Sequence, residues 1–382
     1  MSVTQDLLHV TKYEVLGKLP DLMTFEDGTP VRTPADWPRR RAELYKTAVE
    51  LQYGTMPPAP EFLEVETLFK GARNHSYRIR TGTRERPVSF LMKLVLPGGG
   101  HKAPYPAIVD GDMCFPYHMD KAYLSAATDE GVAWVFFDRT ELAHDIQGEG
   151  RRKGQLYDTY PDYTFGALGA WAWGYSRCVD ALEILCAGKE NPLIDLSLIA
   201  FSGHSRGGKT AALAGATDER AAVVNPNATC AGACGCYRIH IEGYCEGIPP
   251  FRSETLRDLW NNFSFWMGPE LGDYADREAD LPFDAHFLKA MIAPRVLFVS
   301  EAAGDLWSNP VGSWMTTMAA GKVYDFLGAP QNLYWYFREG THFHTVGDVS
   351  MLVNVIKRQR DPAIPMAEGF FEAPFASFDP IY

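Results

Sequence analysis

Gly203-His204-Ser205-Arg206-Gly207 is the stretch whose reading decides the fold, because it fits G-x-S-x-G in the one context that gives the pattern meaning. An apolar run over 196–201 precedes it, and the small residues Thr210, Ala211, Ala212, Ala214, Gly215 and Ala216 follow it. Glycines on both sides allow a serine to sit on a strained strand-to-helix turn where neighbouring backbones nearly touch. The N–H of Arg206 and the start of the following helix then supply positive potential where an oxyanion would develop. The competing reading is a Gly-rich turn carrying an inert serine.

Outward from this turn, short apolar runs at 106–109, 132–137, 198–201, 296–300 and 333–337 alternate with helical segments at 167–187, 207–216 and 314–328. That alternation predicts an α/β protein of the α/β-hydrolase fold: a mostly parallel sheet flanked by helices, a three-layer sandwich. Residues 62–96 alternate as paired strands do (Tyr77, Ile79; Phe90, Met92, Leu94) and predict an antiparallel start closed by Pro97-Gly98-Gly99-Gly100. A capped helix is expected over 36–51. No repeat or Ser/Gly linker interrupts the pattern, so residues 1–382 are expected to form a single domain with 1–60 packed on it as an arm.

In this fold the chain order is serine, acid, histidine, each at the C-terminal end of its own strand. Downstream of Ser205, the run at 295–300 leads into Glu301-Ala302-Ala303-Gly304-Asp305, and the run at 333–337 leads into Arg338-Glu339-Gly340-Thr341-His342-Phe343-His344. A carboxylate is needed to hold the imidazole tautomer, and an imidazole to take the serine proton near neutral pH. Asp305 is the candidate acid, against the reading of a loop aspartate capping the next helix. His342 and His344 compete for the base; His342 lies nearer the strand end and is favoured, with His344 kept as the alternative.

Composition narrows the partners. A net charge of −12 works against phosphate-backbone binding, so nucleic acid is not expected, and no stretch approaches a membrane span. The seven cysteines are an odd number and argue against a disulfide framework. Cys230, Cys234, Cys236 and Cys245 lack paired Cys-x2-Cys spacing, so neither metal nor cofactor is expected. The first residues, Met1-Ser2-Val3-Thr4-Gln5-Asp6, have no basic start or apolar run, which predicts a cytoplasmic chain, or an exported one if a leader has been removed. Oligomeric state is left open.

At these motifs the sequence resembles the glucuronoyl esterases, carbohydrate esterases that cleave esters of 4-O-methyl-glucuronic acid, and is closer to their bacterial branch. Ser205-Arg206-Gly207-Gly208-Lys209 is similar to the family's S-R-x-G-K; Leu281-Pro282-Phe283-Asp284-Ala285-His286 and Ile292-Ala293-Pro294-Arg295 resemble its L-P-F-D-x-H and I-A-P-R signatures. Asp305-Leu306-Trp307-Ser308-Asn309-Pro310 and Arg338-Glu339-Gly340-Thr341-His342 are also alike, and the resemblance spans about residues 36–348. It implies an oxyanion role for Arg206 and sugar contacts for Lys209 and Trp266, against the readings of a solvated lysine and a core tryptophan. The fungal pattern has cysteines where this chain has His204 and Phe343 or Thr345, and a glutamate where it has Ala228, so Asp305 must supply the acid. The expected activity is a serine carbohydrate esterase acting on a small-molecule or oligosaccharide uronate ester; the alternatives are a carbohydrate acetyl or short-acyl esterase and a non-catalytic binding protein.

Overall fold

Nine strands form one sheet in the order β12-β11-β8-β7-β5-β6-β4-β3-β2. In a computed structural model that describes residues 8–190, 192–367, 375 and 377–382, these are β2 (Phe62–Lys70), β3 (Asn74–Gly82), β4 (Pro87–Val95), β5 (Tyr105–Asp110), β6 (Ala133–Phe137), β7 (Ile194–His204), β8 (Ala221–Asn227), β11 (Val296–Ala302) and β12 (Leu333–Arg338). The pairs β12·β11, β11·β8, β8·β7, β7·β5 and β5·β6 are parallel, whereas β6·β4, β4·β3 and β3·β2 are antiparallel. This is the α/β sheet with an antiparallel start that the pattern predicts.

The parallel strands are apolar along their whole length because both faces are covered. All residues of β6 and of β11 are buried. One core gathers Ile108, Trp134, Phe136 and Ala200 with Val349, Leu352 and Ile356 of the helix Val346–Arg360; the larger one packs the helices Ala167–Cys186 and Arg206–Thr217 on the opposite face. In the helix Arg206–Thr217 every residue from Gly207 to Ala216 is buried, so its small side chains are what let it lie this close to β7 and β8.

Two features depart from the sequence-based reading. The predicted helix at 36–51 begins as the α-helix Trp37–Leu44, widens to a π turn over Tyr45–Glu50 and ends at Tyr53 before Gly54, whose φ of 84° stops it. The N-terminal segment contains a strand the sequence did not signal: β1 (His9–Val15) pairs antiparallel with β9 (Ile239–Cys245), which pairs with β10 (Ile248–Arg252), making a separate three-stranded sheet. Residues 1–7 of the predicted arm lie outside the described residues. Among the described residues, no helix is long and apolar enough to cross a membrane.

Candidate active site

Ser205 stands where β7 gives way to the helix Arg206–Thr217, with φ 57° and ψ −119°. A non-glycine residue in this region is strained, and the surrounding contacts hold it there. Its N–H donates to the Asn227 carbonyl at 2.9 Å, and the Lys209 N–H donates back to the Ser205 carbonyl at 2.9 Å. The flanking glycines are required by contact. A Cβ on Gly203 would lie 2.4 Å from the Gly207 carbonyl oxygen, and one on Gly207 would lie 2.2 Å from both carboxylate oxygens of Asp112.

Loops after β11 and β12 bring Asp305 and His342 to this serine. His342 Nε2 is 2.9 Å from Ser205 Oγ, and His342 Nδ1 is 2.6 Å from Asp305 Oδ2. Asp305 makes no side-chain cap on the short helix Leu306–Ser308; its carboxylate faces the imidazole instead. The helix that follows is capped by Asn309, whose Oδ1 accepts from the Gly312 N–H. Ser308, unnoticed in the sequence beyond its place in a motif, donates its hydroxyl to the same Asp305 Oδ2 at 2.5 Å, with Cys230 Sγ 3.3 Å beyond it.

His344 is placed otherwise. It is half-buried, its Nδ1 is 2.8 Å from the Tyr123 hydroxyl, and its ring lies 5.7 Å from that of His204 at a 16° tilt. Burial pushes its imidazole down to about 4. His204 stands between the two: its ring centroid is 4.6 Å from that of His342, its Nδ1 is 2.6 Å from Asn227 Oδ1, and burial holds it well below the ordinary imidazole range. All seven cysteines are free.

Arg206 carries its guanidinium 4.8 Å over the Trp266 ring, and its Nη1 donates to Asp145 Oδ2 at 3.1 Å. Its backbone N–H is the first of a helix and has no intrahelical acceptor. In this fold a second oxyanion donor ordinarily comes from the loop after the neighbouring strand. Here that is the loop after β5, where three N–H groups are engaged: Gly111 to the Tyr175 hydroxyl at 3.0 Å, Asp112 to Asp110 Oδ1 at 2.7 Å, and Met113 to the Phe137 carbonyl at 3.3 Å.

Lys209 is not solvated. It is 2% exposed, and its ammonium donates to the carbonyls of Thr229 and Ala231 (2.6 Å to the latter) and to Glu254 Oε2 at 3.5 Å. A sugar hydroxyl could take up a donor of Lys209 only by displacing one of these, and the contact to Glu254 is the longest. Trp266 is also buried, 3% exposed, sandwiched on Phe263 at 3.9 Å and donating its Nε1–H to Asp145 Oδ1 at 3.0 Å. Beside the acid and base loops a cavity of about 340 Å3 is lined by Glu246, Ile248, Gly304, Glu339 and Gly340.

A second carboxyl shares the end of β11. Glu301 is 1% exposed, and burial together with the negative charge of Asp305 raises it to about 8. A carboxyl raised on folding holds a proton that the unfolded chain releases, so its stabilising contribution is lost as pH rises from about 4.5 through about 8. Glu301→Gln removes this titration. Its Tm, measured relative to the parent chain, is expected to climb steadily from pH 5 to pH 8, while His344 and His286, common to both proteins, cancel from the difference.

A serine on a strained turn between strand and helix, followed along the chain by an acid and a histidine at the ends of two further parallel strands, defines the α/β-hydrolase class. The family profile described as glucuronyl esterase of fungi matches residues 79–328. A 4-O-methyl-glucuronoyl methylesterase of Podospora anserina is 31% identical over 334 residues, which is 86% of this chain; the chain spans 64% of that relative's length. Among solved structures, a carbohydrate esterase family 15 glucuronoyl esterase from Caldicellulosiruptor kristjansonii superposes with a TM-score of 0.81 at 30% identity, covering 100% of this chain and 98% of that one. A serine-to-alanine mutant of the glucuronoyl esterase from Sporotrichum thermophile, in complex with methyl 4-O-methyl-β-D-glucopyranuronate, superposes with a TM-score of 0.72 at 27% identity, covering 91% and 89%. The chain belongs to the glucuronoyl esterase family.

Proposed function

We propose that this protein hydrolyses esters of 4-O-methyl-glucuronic acid through an acyl-enzyme on Ser205, and that its substrate is a small-molecule or oligosaccharide uronate ester. The hydrogen-bonded line Ser205–His342–Asp305 carries this reading. The Ser205 hydroxyl gives its proton to His342 Nε2 as Oγ attacks the ester carbonyl, and Asp305 Oδ2 accepts from His342 Nδ1–H and stabilises the imidazolium. The Arg206 N–H and guanidinium stabilise the oxyanion. His342 then protonates the departing alcohol, and a water activated by the same imidazole releases the uronate. Membership in the family and the uronate ester bound to the Sporotrichum relative support the choice of acyl group. Trp266 and Lys209 border the sugar, Lys209 by exchanging its long contact to Glu254 for a hydroxyl.

The test is a comparison of kcat/KM on benzyl glucuronate, 4-nitrophenyl acetate and acetylated xylan, with fluorophosphonate labelling of Ser205. The expected result is preference for the glucuronate ester and labelling that Ser205→Ala abolishes. Faster turnover of the acetyl esters reassigns the enzyme as an acetyl or short-acyl esterase. Absence of labelling makes the chain a binding protein on an esterase fold.

A further inference from the structure

Asp145, in the loop that follows the short helix Arg139–Glu141 after β6, has no part in the triad and belongs to none of the motifs in the sequence. Its side chain is 9% exposed and both its oxygens are used. Oδ1 accepts from Trp266 Nε1 at 3.0 Å; Oδ2 accepts from Arg206 Nη1 at 3.1 Å and from Arg139 Nη2 at 3.4 Å. The arginine and tryptophan so held also touch each other, the guanidinium carbon lying 4.8 Å from the indole centroid and 5.6 Å from the Phe263 ring. Arg206 Nε is buried and has no hydrogen-bond partner among the described residues.

The clamp is anchored to the nucleophile turn from the other side. Arg139 is fully buried and pairs with Asp112. Asp112 Oδ2 accepts the His204 N–H at 3.0 Å, and its carboxylate is what a side chain at Gly207 would strike. Asp112, Arg139, Asp145 and Arg206 therefore form an alternating series of charges that runs from the backbone beside Ser205 to the Arg206 guanidinium. An unpaired arginine on a solvent-facing site samples many rotamers, and a donor contributes to an oxyanion only when its position is set before the charge forms. A carboxylate fixed by an indole N–H and a buried arginine sets that position.

We propose that Asp145 is a positioning residue for ester hydrolysis: it holds the Arg206 guanidinium over Trp266 and so fixes the side-chain half of the oxyanion site. This rests on the oxyanion role of Arg206 proposed above, and not on the identity of the sugar. The experiment is a double-mutant cycle on kcat with 4-nitrophenyl acetate, a substrate that engages the oxyanion site without a sugar. Removing an oxyanion donor costs about 10²-fold in kcat, so Arg206→Ala is expected to fall by that order. Asp145→Ala is expected to lose about tenfold or more in kcat with KM changed less than about twofold, because it misplaces the donor without removing it. In the Arg206→Ala background the same Asp145→Ala change is expected to cost less than about twofold, the signature of two residues acting as one unit. The near-isosteric Asp145→Asn, which keeps an acceptor for Trp266 but loses the charge, carries the same test if the alanine variant fails to fold. An equal loss in both backgrounds, or no loss of kcat in the parent, overturns the proposal. A preference of the parent enzyme for acetyl esters over glucuronate overturns the substrate reading alone.

Discussion

His342→Ala is expected to lower kcat for ester hydrolysis by about 10⁶-fold, whereas His344→Ala should lower it by less than about tenfold, although one phenylalanine separates the two residues. The difference follows from what each ring can reach. His342 spans Ser205 Oγ and Asp305 Oδ2 at hydrogen-bond distance from its two nitrogens. A base removed from such a unit takes with it nearly all the benefit of the nucleophile and the acid, which is why single triad deletions approach the cost of deleting the whole unit. His344 turns the other way, toward Tyr123 and Tyr117, and desolvation of its ring keeps it neutral. Its loss opens a cavity beside His204, which in turn packs on His342, so a modest effect through that contact is expected. The measurement is kcat for each variant on one activated ester, with thermal unfolding to show that both remain folded. A larger loss in His344→Ala would reverse the assignment of the base.

The parts of this protein that were legible in its sequence are those governed by local rules. The turn at Ser205 is announced by glycines because bulk is excluded there, and the parallel strands are announced by unbroken apolar runs because both their faces are covered. The order of Ser205, Asp305 and His342 is a consequence of the fold's connectivity and can be read along the chain. What could not be read arises from contacts between distant segments. β1 pairs with β9 across more than two hundred positions, and His9–Val15 is too mixed in polarity to signal a strand by itself. Asp145 touches residues 61 and 121 positions away, and no local pattern distinguishes it from a loop carboxylate. The burial of Lys209 is of the same kind: a charged side chain one turn into a helix normally reaches solvent, but here the carbonyls of Thr229 and Ala231 and the carboxylate of Glu254 close over it.

Asp305→Asn is expected to lower kcat by about 10⁴-fold while leaving the fold and the position of Ser205 unchanged. The carboxylate has one task that a neutral amide cannot perform, which is to balance the imidazolium charge as the serine proton arrives. An asparagine can present its NH2 to Nδ1 and stabilise the tautomer whose proton sits on Nε2, where it blocks acceptance from Ser205. Three neighbours sharpen the expectation. Ser308 already donates to Oδ2, the oxygen that faces His342, so the site is built around an acceptor at that point. Glu301, the other carboxyl near the end of β11, is pushed up to about 8 by burial and so stays protonated near neutral pH, unable to stand in as the counter-charge. Ala228, where the fungal relatives' pattern places a glutamate, has no carboxyl at all. With no substitute on either strand end, the loss in Asp305→Asn should be read as kcat on an activated ester across pH 6 to 8. A variant retaining more than about a tenth of the parent's kcat would place the acid elsewhere while leaving Ser205 and His342 in their roles.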